Sequence, residues 1–329
     1  MDQMSRATVF YGEITCEVRC KNGNACPHKA YFQNSARLPH EPKYVCGQHK
    51  KPTWRGANAH ELPRNPAARK NEENRLMAQR ASTALAQAAN LLNGARGRVM
   101  VSNMRMMHAP EYVEGFVSVF PNYRHAQRED GVGCAQLSPK SLGPVTHRMP
   151  GLPVAVSIEN YHQYAKVFLS ELEGDGTTIT AACKAERAEA YASDVPQRHK
   201  PAAGGKNVPL FSVYYDADGA EHRFTYLQCR WFYCYWYARL ATKTDEFRDL
   251  EHRLNAGWNL NLTGYDGYPV TRTLYEHYTD TTRPFGHELV LYSLLVGERP
   301  WERYRAGHAA LYAPFVAMFA SEVQPGEVK

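Results

Sequence analysis

A chain of 329 residues with near-average apolar content can bury a substantial core and is long enough for one large domain plus a smaller appendage. Its net charge of +6 is unevenly placed: residues 1–70 carry 12 Lys and Arg against 5 Asp and Glu, and the remainder carries 27 against 28. No run approaches the roughly 18 apolar residues of a membrane span, and the N-terminal stretch lacks the apolar region of a signal peptide, so a soluble, intracellular protein without a membrane partner is expected. Its eight cysteines then read as metal ligands or buried thiols rather than disulfides.

Residues 13–51 hold four of those cysteines. The sharpest element is Cys46-Gly-Gln-His49, a thiolate and an imidazole spaced to grip one tetrahedral ion. Cys16 and Cys26, one on each side of the KNGN turn, are expected to complete the set, with Cys20 and His28 as reserves. Four protein ligands leave no open position, so the zinc expected here is structural. The segment has too little apolar surface to fold without such a staple. A basic appendage on a neutral body also predicts an anionic partner, nucleic acid being the commonest.

A linker rich in Pro, Asn and Arg follows, and Asn65-Pro66 then reads as the start of a long helix over residues 66–93. Met77, Ala81, Leu85, Ala88 and Leu92 fall at helical spacing and predict its apolar stripe. The chain divides on this reading into a zinc module at 1–55, a basic linker and helix at 56–97, and a main domain at 98–329.

In the main domain, RVMVSNM and EGFVSVF read as strands, and residues 122–153 as a turn-rich loop too long to be idle. Ser157 caps a helix predicted through residue 172. VPLFSVYY and HRFTY flank Asp218-Gly219 as an antiparallel hairpin, and CRWFYCYWYARLA and TDEFRDLEHRLNAG read as helices. The strand NLNLT leads into GYDGYP, and two more helices follow, TRTLYEHYTD and the apolar HELVLYSLLVG. Strands and helices mix without a regular βαβ rhythm, which predicts an α+β fold.

There is no Walker loop, dinucleotide fingerprint, nucleophile elbow or HExxH pattern. The candidates for chemistry are polar residues in turn-rich settings. Glu159 falls in the first turn of its helix, and Lys166 two turns on along the same side. Asp266 stands between glycines at the end of a strand, next to Tyr265. His287 and Glu288, after Phe285-Gly286, open an apolar helix whose N-terminus suits a phosphate. Each has a plainer reading: a dipole-complementing Glu, a solvated Lys, a turn-forming Asp and a satisfied polar pair.

Two resemblances bear on these residues. The early cysteine pattern with YVCGQH and LPRNP, and the later IENYHQYAKVF, GYDGYP and PFGHELVLY, resemble uncharacterised proteins of nucleocytoplasmic large DNA viruses, which implies a viral protein without implying an activity. The stretch Ser157-Ile-Glu159-Asn-Tyr161-His-Gln163-Tyr-Ala-Lys166 is similar to the S-x-E-H-Y-x-Q-x-x-K helix of the NADAR family, with Asn160 where His is usual. That family cleaves N-glycosidic bonds in ADP-ribose-like or riboflavin-pathway compounds. The resemblance implies roles for Glu159 and Lys166 at the anomeric carbon and sets Phe285-Gly286 in place of a late Trp-Gly pair. Cleavage through an oxocarbenium-like state would then use Glu159 or Asp266 as the carboxylate. Lys166 or Arg230 would hold phosphate, with Tyr161, Gln163, Tyr265, His287 and Glu288 around a nucleotide-like substrate. The competing expectation is a non-enzymatic viral zinc protein that binds nucleic acid or a virion partner.

Overall fold

The computed structural model describes residues 16–20, 23–28, 32–33, 44–45, 66–105, 110–128, 130–201, 205 and 207–320. Cys46 and His49 lie outside the described residues.

In the N-terminal module, residues 16–20 and 23–28 run antiparallel. Cys16 N donates to His28 O, Cys26 N to Val18 O and Cys20 N to Asn24 O. Gly23, at φ 81°, supplies the left-handed turn residue. Strands β1 (Phe32–Gln33) and β2 (Tyr44–Val45) pair beside this hairpin.

Helix α1 spans Pro66–Leu92, close to the sequence expectation, but it docks by the face opposite to the predicted one. Met77, Leu85 and Leu92 are 68%, 74% and 88% exposed. The packed face is polar. The Gln79 amide donates to Val113 O and Phe116 O, Gln87 to Ala256 O and Asn90 to Gly257 O. Backbone carbonyls at the ends of neighbouring elements need donors once water is excluded, and this demand outweighs the helix's own apolar pattern.

The central sheet contains β3 (Val99–Asn103), β4 (Val117–Phe120), β5 (Val132–Gly133) and, much later in the chain, β9 (Leu260–Gly264). Its order is β3-β9-β4-β5 and every pairing is parallel. All five residues of β9 are buried, as expected for a central strand. A smaller antiparallel sheet joins β6 (Lys166–Val167), β7 (Phe211–Tyr215) and β8 (Glu221–Phe224), so the expected hairpin is present. Helices and both sheets together make the fold mixed α+β.

Ser157 accepts from Asn160 N and starts α2 (Ile158–Tyr164), which ends well short of the predicted residue 172. The cause is non-local. Lys166 and Val167 pair with Ser212 and Phe211 of β7, and this pairing draws the chain out of the helix. The remaining helices are α3 (Ala181–Ala192), α4 (Tyr226–Ala241), α5 (Asp245–Asn255), α6 (Leu274–Thr279), α7 (His287–Leu295), α8 (Pro300–Gly307) and α9 (Ala309–Ala320). Helix α4 is closed at its start by a capping box of Thr225 and Gln228. It buries Trp231, Phe232, Cys234, Trp236 and Tyr237 and forms the spine against which α7 and α8 pack. No helix among the described residues is long and apolar enough to cross a membrane.

Candidate active site

The strands of the parallel sheet end on one edge, where ligands of open parallel sheets bind. β4 runs out at Phe120-Pro121, and β9 runs out at Gly264 into Tyr265-Asp266. Helix α7 begins at the same edge, since His287 Nε2 donates to Pro121 O over 2.7 Å. Its Nδ1 then faces Glu288 Oε2 at 3.3 Å. Glu288 is fully enclosed, and Oε2 accepts no hydrogen bond from the described residues.

Two glycines create the room for that carboxylate. A Cβ on Gly264 would stand 1.8 Å from Glu288 Oε1. One on Gly286 would stand 3.0 Å from both Glu288 Oε2 and the Asp266 Cβ. Asp266 and Glu288 therefore flank one point of backbone, and GYDGYP meets PFGHE there. Asp266 itself is exposed, whereas Gly267 is packed against Ser102 O.

Glu159 approaches the same group from α2. Its backbone N–H donates to Pro139 O, and its side chain accepts from Gln163 Nε2 at 3.3 Å. The Gln163 carbonyl oxygen in turn accepts from Lys166 Nζ at 2.9 Å. Burial pushes the Glu159 carboxyl above its ordinary value, against the opposing pull of Lys140, Lys166, His287 and the Gln163 hydrogen bond. Burial likewise lowers Lys166, with Glu159 among the groups opposing it. His287 is thus within electrostatic reach of Glu159 while adjoining Glu288 and Gly286, and it links the two carboxylates singled out in the sequence. Tyr233 and Tyr237 of α4 lie between them. Burial raises both phenols, and the charge of Glu288 acts on each, that of Glu159 on Tyr233 as well.

Several expected contacts are placed differently. Lys166 opens β6 rather than riding a second turn of helix, although it still reaches Gln163. Arg230 is buried and structural in its contacts: its guanidinium donates to the carbonyls of Tyr278, Asp280 and Arg283, which occupies it before any phosphate could. Tyr161 is wholly buried among His147, Tyr191, Tyr214 and Trp236, so its ring builds core. Phe285 is buried edge-on against Tyr278. Tyr265 is accessible at the rim, 6.3 Å from the His125 ring.

Lys140, Tyr233 and Tyr237 were not singled out by sequence. Lys140 lies in the turn-rich stretch 122–153, which is tied to its flanks through the pairing of β5 with β4 and the Val145–Ala155 bridge. Its only signal was membership of a long Pro- and Gly-rich loop. The two tyrosines were hidden in a helix that is aromatic nearly all round. A separate surface cleft of about 260 Å3 lies between α4 and α8, lined by Arg239, Lys243, Arg299, Trp301 and Glu302, and none of the predicted site residues lines it.

No protein-family model, no curated protein and no solved structure matches this chain.

Proposed function

We propose that the protein is an enzyme that hydrolyses the N-glycosidic bond of an anionic, nucleotide-like substrate at the carboxyl edge of the parallel sheet. The observation that carries the reading is Glu159, a carboxyl raised by burial yet surrounded by Lys140, Lys166 and His287. A carboxyl whose protonated form is favoured by burial is suited to give a proton to a departing base, and the nearby lysines suit phosphate. The similarity of the α2 segment to the NADAR helix supports the same assignment.

In the step proposed, the bond from anomeric carbon to base nitrogen breaks through an oxocarbenium-like state. Glu159 protonates the leaving base. Asp266, exposed beside Gly286 at the end of β9, stabilises the cationic sugar and takes the proton of the attacking water, whose hydroxyl joins the anomeric carbon. Lys140 and Lys166 hold the phosphate, and Tyr265 offers a ring at the rim. Incubation with ADP-ribose conjugates, nicotinamide dinucleotides and nucleoside monophosphates, read by chromatography of the released base, is the test. Glu159→Gln should lower the rate by about 10²–10⁴-fold with the fold retained. Release of no base from any of the three classes, or an unchanged rate in E159Q, would overturn the assignment.

A second reading concerns the N-terminal module, where one packing observation favours it. Cys16 and Cys26 are both buried in a cluster with Val45, the residue immediately before Cys46, and Cys20 packs at its edge. His28 is exposed. We propose that Cys16, Cys26, Cys46 and His49 hold a structural zinc and that this basic module binds nucleic acid or a virion partner in the manner of a viral zinc protein. Thiolate-to-cobalt absorption in the cobalt-substituted protein should vanish in the C46S/H49A variant. Retention of the band refutes the ligand set. Nucleic-acid affinity that falls steeply with salt and is lost on deleting residues 1–70 is expected. Affinity unchanged by that deletion refutes the partner.

A further inference from the structure

Helix α3 carries Cys183, Glu186 and Arg187 at i, i+3 and i+4, so all three share one face. Opposite that face stand Glu171, at the end of a short 3-10 turn (Leu169–Glu171), and His199, from the segment that follows α3. One carboxylate oxygen from each Glu and one ring nitrogen of His199 all lie within 4.8 Å of one another. Three separate stretches of chain therefore converge their donor atoms on one point.

The group is built rather than incidental. The His199 ring is 4% exposed and clamped by Tyr164, stacked at 4.6 Å, and Phe168, edge-on at 5.1 Å. Its Nε2 lies 2.5 Å from Glu171 Oε1, while Nδ1 finds no partner among the described residues. The other Glu171 oxygen accepts from Phe168 N at 2.7 Å, which fixes the plane of that carboxylate. The Cys183 thiol stands against Glu171, and burial pushes it up to about 11. Arg187, the nearest candidate to neutralise two carboxylates, instead donates to Tyr164 O at 2.6 Å and to Tyr215 Oη at 3.4 Å.

We propose that Glu171, Glu186 and His199 bind a divalent transition-metal cation, zinc being the best fit. Calcium and magnesium take all-oxygen shells, and an imidazole donor selects against them. Ligand atoms about 2 Å from one ion stand roughly 3.3 Å apart, so His199 Nε2 and Glu171 Oε1, now 2.5 Å apart, must open by less than about 1 Å to admit it, while the exposed Glu186 moves in. Nε2 gives its lone pair to the ion, and the ring proton moves to Nδ1. Three protein ligands leave a fourth position for water, the arrangement of reactive rather than closed sites. This site is separate from the N-terminal module and does not depend on the glycosidase reading.

The test uses the full chain carrying C46S/H49A, stripped with chelator and titrated with zinc chloride alone by calorimetry. One equivalent should bind, and Glu186→Gln in the same background should weaken binding at least about tenfold, since even outer-shell changes at metal sites lose that much. Glu186 is at the surface, so E186Q keeps the fold. The His199→Gln variant adds a second reading wherever its thermal transition stays cooperative. Absence of zinc uptake in the C46S/H49A chain, or equal affinity with and without E186Q, overturns the proposal.

Discussion

Two polar clusters draw on neighbouring parts of the chain, Lys166 in one and Glu171 in the other, yet they differ in charge. The sheet-edge cluster mixes carboxylates with Lys140, Lys166 and His287, and its acid Glu159 is raised by burial despite the two lysines. The second cluster sets two carboxylates against a single imidazole and turns its nearest guanidinium away. The first is spread over two helices, a strand end and a loop. The second is tight enough for one atom. Strand β6 carries Lys166 at its start, and the chain reaches Glu171 four residues past its end.

The clusters also differ in how rigidly they are held, and this gives the largest expected stability effect. Gly264 ends the central strand with its backbone against Glu288, so Gly264→Ala must move a buried carboxylate or the strand itself. A loss of about 1–3 kcal/mol is expected from urea unfolding, as for other overpacked core sites, with activity lost alongside. E186Q should leave the unfolding midpoint unchanged without metal. A neutral G264A would remove the rigid wall from the comparison.

A smaller effect separates the clusters by pH. Because the folded-state value of Glu159 is raised, the native protein binds a proton more tightly there than the unfolded chain does. Stability from this group is therefore present at low pH and declines as pH rises from the ordinary value of 4.5 through the raised one. E159Q, which cannot ionise, should gain stability relative to the parent across that interval and match it below. Unfolding midpoints that keep parallel pH profiles would show that Glu159 is not desolvated.

The smallest change belongs to α1, outside both clusters. Leu85→Gln should alter stability by no more than about 0.5 kcal/mol, as at other exposed positions. Gln79→Ala, which removes two part-buried hydrogen bonds, should lose more, about 1 kcal/mol. The reverse order would restore the predicted apolar stripe as the docking face.

Much of the fold was legible because its causes are local. The start of α5 follows from Thr244, whose side chain satisfies a first-turn N–H group, whereas α4 begins at Tyr226, inside the segment HRFTY that reads as a strand. NLNLT is legible as a strand, though not as one buried on both faces, and the hairpin at Asp218-Gly219 as a turn. Helix α3 and its Glu186, with Glu171 and His199, passed unnoticed, because nothing in their spacing along the chain marks donors that only folding gathers. Arg230 failed as a phosphate ligand for a related reason: a cation's partners are chosen by whichever carbonyls the fold leaves short of donors.

The sequence by itself determined where α1, α2, α5 and α7 begin, which strands alternate or stay apolar, and that Glu159, Asp266, His287 and Glu288 sit at element ends. Capping and side-chain periodicity act within a few residues, so they can be read in order along the chain. Only the tertiary structure decided that β9 enters between β3 and β4, that α2 stops at Tyr164, and that α1 turns its leucines outward. It alone brought GYDGYP against PFGHE through two glycines with no space for a Cβ. Those outcomes depend on pairing and desolvation between residues up to about half the chain apart, and such energies have no signature in local spacing.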